Sequence, residues 1–95
     1  MSVFGYFEWD ERKAASNRKK HGISFREAMT VFFDPYSDLF HDPDHSMEED
    51  RFILLGMSQS LRVLVVSHTY KSRYDEIRII SARKADKKEM SNYGR

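Results

Sequence analysis

The chain contains no cysteine, which excludes disulfides and thiolate metal sites. Long apolar runs are missing as well. No stretch approaches the roughly 20 residues of a membrane span, and the start MSVFGYFEWDERK lacks the apolar centre of a signal peptide. A cytoplasmic protein without membrane contact is expected. No nucleotide-binding glycine loop, Walker motif, G-x-S-x-G elbow or carboxylate metal cluster appears. The chemistry that remains is acid/base and electrostatic, with no cofactor implied. Basic residues are themselves missing from one stretch: between Asp34 and Asp50 the charged side chains are Asp34, Asp38, Asp42, Asp44, Glu48, Glu49 and Asp50, with His41 and His45.

Against these absences stand 95 residues, 40% of them hydrophobic and 14% aromatic. That is one small folded domain over residues 1–95, since so many aromatics can offset chain entropy. The formal net charge of +1 hides segregation. Arg12, Lys13, Arg18, Lys19, Lys20 and Arg26 crowd the first third, and further cations follow from Lys71 onward. A basic surface suited to polyanions is implied, with the acidic loop as partner site or internal counterweight.

The hydrophobic pattern predicts strand, two helices, a short strand, three strands and a last helix. Val3 to Trp9 alternates as a strand, and Asp10 then caps a helix ending at Gly22. Trp9 and Ala14 are spaced as a hydrophobic staple. Lys20 and His21 complement the dipole of that helix, an ordinary structural reason for their presence. Ser24 and Glu27 form a capping box, and Phe25, Ala28, Met29 and Phe32 make one core face of a second helix that ends at Asp34-Pro35. Tyr36 to His41 suits a short strand. HDPDHSMEED is a loop in which Pro43 prevents the helical geometry that would make His41 and His45 metal ligands. Arg51 to Met57, Leu61 to Tyr70 and Tyr74 to Ala82 form an antiparallel meander, with a helix from Arg83 or Lys84. The fold class is α+β: a small antiparallel sheet with two N-terminal helices packed on it and a C-terminal helix.

The run Arg78-Ile79-Ile80-Ser81-Ala82-Arg83-Lys84 puts guanidinium groups in and beyond an apolar strand. Arginine is almost never buried unpaired, and its planar fork fits phosphate or carboxylate. Strict alternation sets Arg78 with Ile80 and Ala82, and Ser81 with Arg83 on the other face. A salt bridge to the acidic loop is the competing explanation. His68, near the end of the preceding strand, shares a face with Leu64, Val66 and Tyr70, where a lone histidine is more often a hydrogen-bonded structural residue than a catalyst, but it is also placed to be a cross-strand neighbour of Glu76 or Arg78.

Taken in order, W-D at Trp9, N-x-x-K-H-G-x-S-F from Asn17, H-S-x-x-E-x-R from His45, H-T at His68 and R-I-I-S-A-R from Arg78 resemble the BrnT family of type II toxins over nearly the whole chain. The resemblance implies a RelE-like fold, a ribonuclease activity that stops translation, and neutralisation by a BrnA-like antitoxin. DNA would be involved only through that antitoxin. The family pattern falls on Trp9, Lys20, His21, Glu49, Arg51, His68, Arg78, Ser81 and Arg83. Arg78 and Arg83 are the first choice for gripping a scissile phosphate, His68 and His21 for proton transfer, and Lys20 for a second cation. Glu49 is a base or a partner of Arg51. Trp9, Arg51, Ser81 and Lys84 complete a substrate-binding set, although packing is the better role for Trp9. Metal-independent cleavage by 2′-hydroxyl attack needs only such groups. A non-catalytic module binding nucleic acid or antitoxin is the alternative. One departure is the bulk around the hairpins, where the family is expected to carry glycine.

Overall fold

The computed structural model describes residues 2–47, 49–71 and 76–94. In chain order the elements are β1 (Ser2–Phe4), β2 (Phe7–Trp9), α1 (Glu11–His21), α2 (Phe25–Thr30), β3 (Asp38–His41), β4 (Arg51–Met57), β5 (Val63–Tyr70), β6 (Ile77–Lys84) and α3 (Lys87–Asn92). Short 3-10 turns lie at Val31–Phe33 and Pro43–His45. The strands form a single sheet in the order β1-β2-β6-β5-β4-β3.

The α+β class holds, with one correction: the sheet is mixed. The chain leaves β2, crosses the sheet through α1 and α2, re-enters at the far edge as β3, and returns through β4, β5 and β6. The returning strand arrives beside β2 in parallel, pairing Phe7 with Ile77 and Glu8 with Arg78. Parallel neighbours need a long crossover, and the whole body of the protein supplies it. The first predicted strand is also two strands. Gly5 takes φ 61 and turns the chain back, so Ser2–Phe4 pairs with Phe7–Trp9.

The helix signals acted much as read, with one diversion. Asp10 accepts hydrogen bonds from the backbone of Arg12 and Lys13, and Gly22 ends α1 at φ 72. Ser24 accepts from Glu27 N, but the Glu27 carboxylate turns away to Arg62 and Ser58, so the reciprocal half of that capping box is absent. A complete box forms instead at Asp86 and Glu89, where the last helix begins, because β6 runs on to Lys84. Between β4 and β5, Leu61 sits at φ 62, a left-handed turn position that glycine would occupy without strain.

The core fills one face of the sheet. Phe7, Trp9, Leu54, Leu64, Val66, Ile79 and Ala82 meet Ile23, Phe25, Ala28 and Val31 from the helical side. Gly56 is required there: a Cβ would stand 2.8 Å from Val31 Cγ1. Asn17 is buried and works as a piece of strand, its amide donating to Ile23 O and Ala82 O and accepting from Ala82 N. The β2–β6 pairing stops at Glu8 and Arg78, so Asn17 takes over the β6 edge that β2 leaves open.

Candidate active site

The second face of the sheet carries most of the singled-out cations. A register shift between Ser67 and His68 inserts one extra residue in β6, so His68 faces Ile79 while Ser67 faces Ser81. Burial follows it: Ile79 and Ala82, three apart, both enter the core. Strict alternation therefore fails, and Arg78, Ser81 and Arg83 emerge on one face. Arg83 lies within the strand, four register positions or about 13 Å along it from Arg78 at about 3.3 Å per residue, and its guanidinium is turned to Glu89.

Cross-strand register builds a row through this face. Arg51 on β4 faces Thr69 on β5, Thr69 faces Arg78 on β6, and Arg78 faces Glu8 on β2. Thr69 is 1% exposed, and its Oγ1 has no hydrogen-bond partner among the described residues. Such a buried hydroxyl costs free energy until something bonds it. Glu8 accepts from Arg78 Nε at 2.9 Å, pairs with Arg78 Nη2 at 2.8 Å, and lies 3.3 Å from Lys71 Nζ. Burial pushes the Glu8 carboxyl up, but hydrogen bonds from Arg78 and Lys71 together with their charges outweigh that and leave it below the ordinary range. The next row, Phe40–Ile53–Ser67–Ser81, adds two hydroxyls and an aromatic ring.

Among the described residues, no carboxylate of the acidic loop pairs with either arginine. Arg78 is paired by Glu8, and Arg83 forms a bidentate pair with Glu89 at 2.8 Å for both bonds. Arg83 and the backbone of Asp86 hold the Glu89 carboxyl down at about 2. Within the loop, His41 bonds Asp50 and His45 bonds Asp42, so their ligand-type atoms serve one another.

Other candidates stand elsewhere. His68 is 0% exposed on the core face, ringed by Phe32, Phe52 and Tyr70, and its cross-strand neighbour is Ile79, not Arg78. Burial drives its pKa down to about 4, against the weaker opposing effect of the bond to Val66 O. It is a neutral core residue, out of reach of any ligand on the Arg78 face. Trp9 is buried against Phe25, and its indole donates to Glu11. Lys20 and His21 end α1 on the helical side, next to Gly22, whose carbonyl bonds Arg62. Lys84 belongs to that end too, its charge acting on Glu27. Glu49 lies in the bend before β4, two residues from Arg51. The structure thus gathers Arg51, Arg78, Ser81 and Arg83, and separates Lys20, His21, His68, Trp9 and Lys84 from them. Sequence reading did not single out Glu8 and Thr69, which the register sets in this row. Glu8 between two core aromatics was the available signal for the first. Thr69 in the H-T pair gave none, because its value depends on a register that only pairing defines.

A sequence model of the BrnT family, described as the ribonuclease toxin of type II toxin-antitoxin systems, matches residues 9–89. Among solved structures, the ribonuclease toxin BrnT of Brucella abortus has a similar fold, with a TM-score of 0.63 and 23% identity, over 85% of this chain and 96% of that one. No curated protein matches the chain.

Proposed function

The chain belongs to the BrnT family of ribonuclease toxins of type II toxin-antitoxin systems, and from that premise we propose a metal-independent endoribonuclease of the mRNA-interferase type, cutting by 2′-hydroxyl attack on the adjacent phosphorus. The observation that carries this reading is the row Arg51, Thr69, Arg78 and Glu8 on four different strands. A phosphodiester on that row meets two guanidinium groups and one hydroxyl that lacks a partner among the described residues. Guanidinium charge fixed in advance stabilises the charge that develops on the phosphoryl oxygens. Glu8 is the ionised carboxylate of the row, and it accepts the 2′-hydroxyl proton once a phosphate draws Arg78 toward itself. Lys71 adds a cation beside it. Glu49, next to the Arg51 end, is the second carboxylate of the proposed site. Ser81 and Arg83 extend the same face toward neighbouring nucleotides.

The type II antitoxin partner is proposed to be BrnA-like and to cover this face, with DNA reached only through it. A segment that occupies phosphate-binding arginines is an economical inhibitor. The purified protein is expected to cut single-stranded or ribosome-associated RNA in EDTA, leaving 2′,3′-cyclic phosphate ends. Arg78→Ala is expected to lower the rate on the order of a hundredfold or more, and Glu8→Gln to lower it with little change in RNA affinity. In the free protein the Glu8 carboxyl is below its ordinary range, so the rate at limiting RNA holds from neutral pH down through the usual carboxylate titration and is lost only below it. A rate that instead falls near the usual histidine pKa, or wild-type cutting by Arg78→Ala, refutes the site.

A further inference from the structure

Where α3 crosses the open face of the sheet, the two do not close on each other. A cavity of about 210 Å³ remains, lined by Phe40, Ile53, Leu55, Val65, Glu89 and Asn92. Its floor is aliphatic, from Ile53, Leu55 and Val65 on two central strands. One wall is Phe40, 51% exposed on the edge strand β3. The other wall is one face of α3, where Glu89 and Asn92 stand three residues apart.

The cavity exists because of how α3 is held. Its start is tied by Arg83 to Glu89, and the chain just after it by the Tyr93 hydroxyl, which donates to Asp34. Apolar packing contributes little: Met90, the helix's large apolar side chain, is 53% exposed. Two polar tethers hold the helix across the sheet without filling the space beneath it.

We propose that this cavity is a nucleobase pocket, in which a base of the bound RNA stacks on Phe40 and is read along its edge by the Asn92 amide. The proposal rests on the ribonuclease reading above and names a subsite of that same site. The Phe40–Ile53–Ser67–Ser81 row adjoins the Arg51–Thr69–Arg78–Glu8 row, one two-residue step of about 7 Å along the strands. A strand of RNA with its phosphate on the arginine row therefore has a neighbouring base over Phe40. Single-stranded RNA is recognised in this manner, by stacking on aromatic rings and hydrogen bonds to base edges. The rim chemistry narrows the occupant. Both Glu89 oxygens are taken by Arg83, and one also by Asp86 N, so the carboxylate does not call for a cationic guest. The amide of Asn92 offers a donor beside an acceptor, which matches adenine first among the bases. The small volume suits one flat ring system and not a helix or strand of a protein partner.

The test uses the whole chain and short RNA made uncleavable by 2′-O-methyl groups, with equilibrium binding followed by fluorescence anisotropy. Wild-type protein should favour oligonucleotides carrying adenine at one position beside the cut. Phe40→Ala should weaken binding about tenfold, and Asn92→Ala should remove most of the adenine preference while tight binding persists. Both side chains are exposed, so melting midpoints near wild type are expected and will show that the fold is intact. Unchanged affinity in Phe40→Ala together with unchanged preference in Asn92→Ala overturns the pocket. So does a Phe40→Ala variant that loses only antitoxin binding, which would give the cavity to a protein side chain. Failure of the wild type to cut ordinary RNA would instead refute the ribonuclease mechanism, because none of these binding readouts depends on cleavage.

Discussion

His68, which the sequence offers both as a structural residue and as a proton-transfer candidate, lies in the core. A carbonyl can only accept, so the contact of Nδ1 with Val66 O at 3.1 Å puts the ring proton on Nδ1, and Nε2 then accepts from the Tyr70 hydroxyl at 3.2 Å. Both nitrogens are used, and the neutral ring is locked. The consequence is a pH dependence of stability whose sign is fixed by the lowered pKa. Below the usual 6.5 the unfolded chain takes up a proton that the folded chain refuses until about 4, so stability falls as pH drops through that window. The gap corresponds to about 3 kcal/mol at about 1.4 kcal/mol per pH unit. Urea unfolding at pH 7.5 and at pH 4.5 should show the wild type losing about that much more than His68→Phe. Parallel losses in the two proteins would mean that His68 is protonated in the fold. Strand parity did point to the apolar face for this residue, grouping it with Leu64 and Val66. What parity could not supply was the identity of the facing residue, because the extra residue in β6 set Ile79 opposite the ring and turned Arg78 to the other face, opposite Thr69.

At the scale of elements, the legible parts were those encoded by neighbours in sequence. The caps at Asp10, Gly22 and Ser24, the apolar face of α2 and the β4-β5-β6 meander follow from short-range pattern and turn chemistry. The parallel closure of β2 on β6, the extra residue in β6 and the diversion of Glu27 to Arg62 are settled by tertiary partners that no local window contains. Asn17 stands between these cases. It belongs to the N-x-x-K-H-G pattern, yet its role appears only when β2 proves too short to pair all of β6. Replacing it with alanine leaves Ala82 N–H and O and Ile23 O buried without partners. At about 1–3 kcal/mol for an unmet buried group, with some relaxation, Asn17→Ala should cost about 3 kcal/mol. Because the lost bonds join α1 to β6, amide exchange should quicken first at Ala82 and along the last turn of α1. A variant that melts like wild type would show that water replaces the amide without loss.

On the scale of the whole molecule, the near-neutral charge resolves into two basic surfaces on opposite sides of one sheet. The helical side carries Arg62 and Lys84 near Glu27, with Lys20 and His21 at the end of α1, and the open side carries Arg51, Lys71, Arg78 and Arg83 with Glu8 and Glu89. Composition alone could not divide them, since alternation assigns faces only while the register is regular. Polyanion binding discriminates between the two surfaces through its salt dependence. Each phosphate contact to single-stranded nucleic acid contributes about −0.7 to the slope of log affinity against log salt concentration. Arg51→Ala should therefore make that slope shallower by about 0.7, whereas Lys20→Ala should leave it unchanged. Arg78→Ala should make the slope shallower by a similar amount and also lower cutting on the order of a hundredfold or more, since the proposed role of its guanidinium is both to grip the phosphate and to stabilise the transition state. A fall in slope for Lys20→Ala with none for Arg51→Ala would move the RNA to the helical side. The Thr69 hydroxyl would then be left as an unmet cost of the fold, with no ligand to offset it.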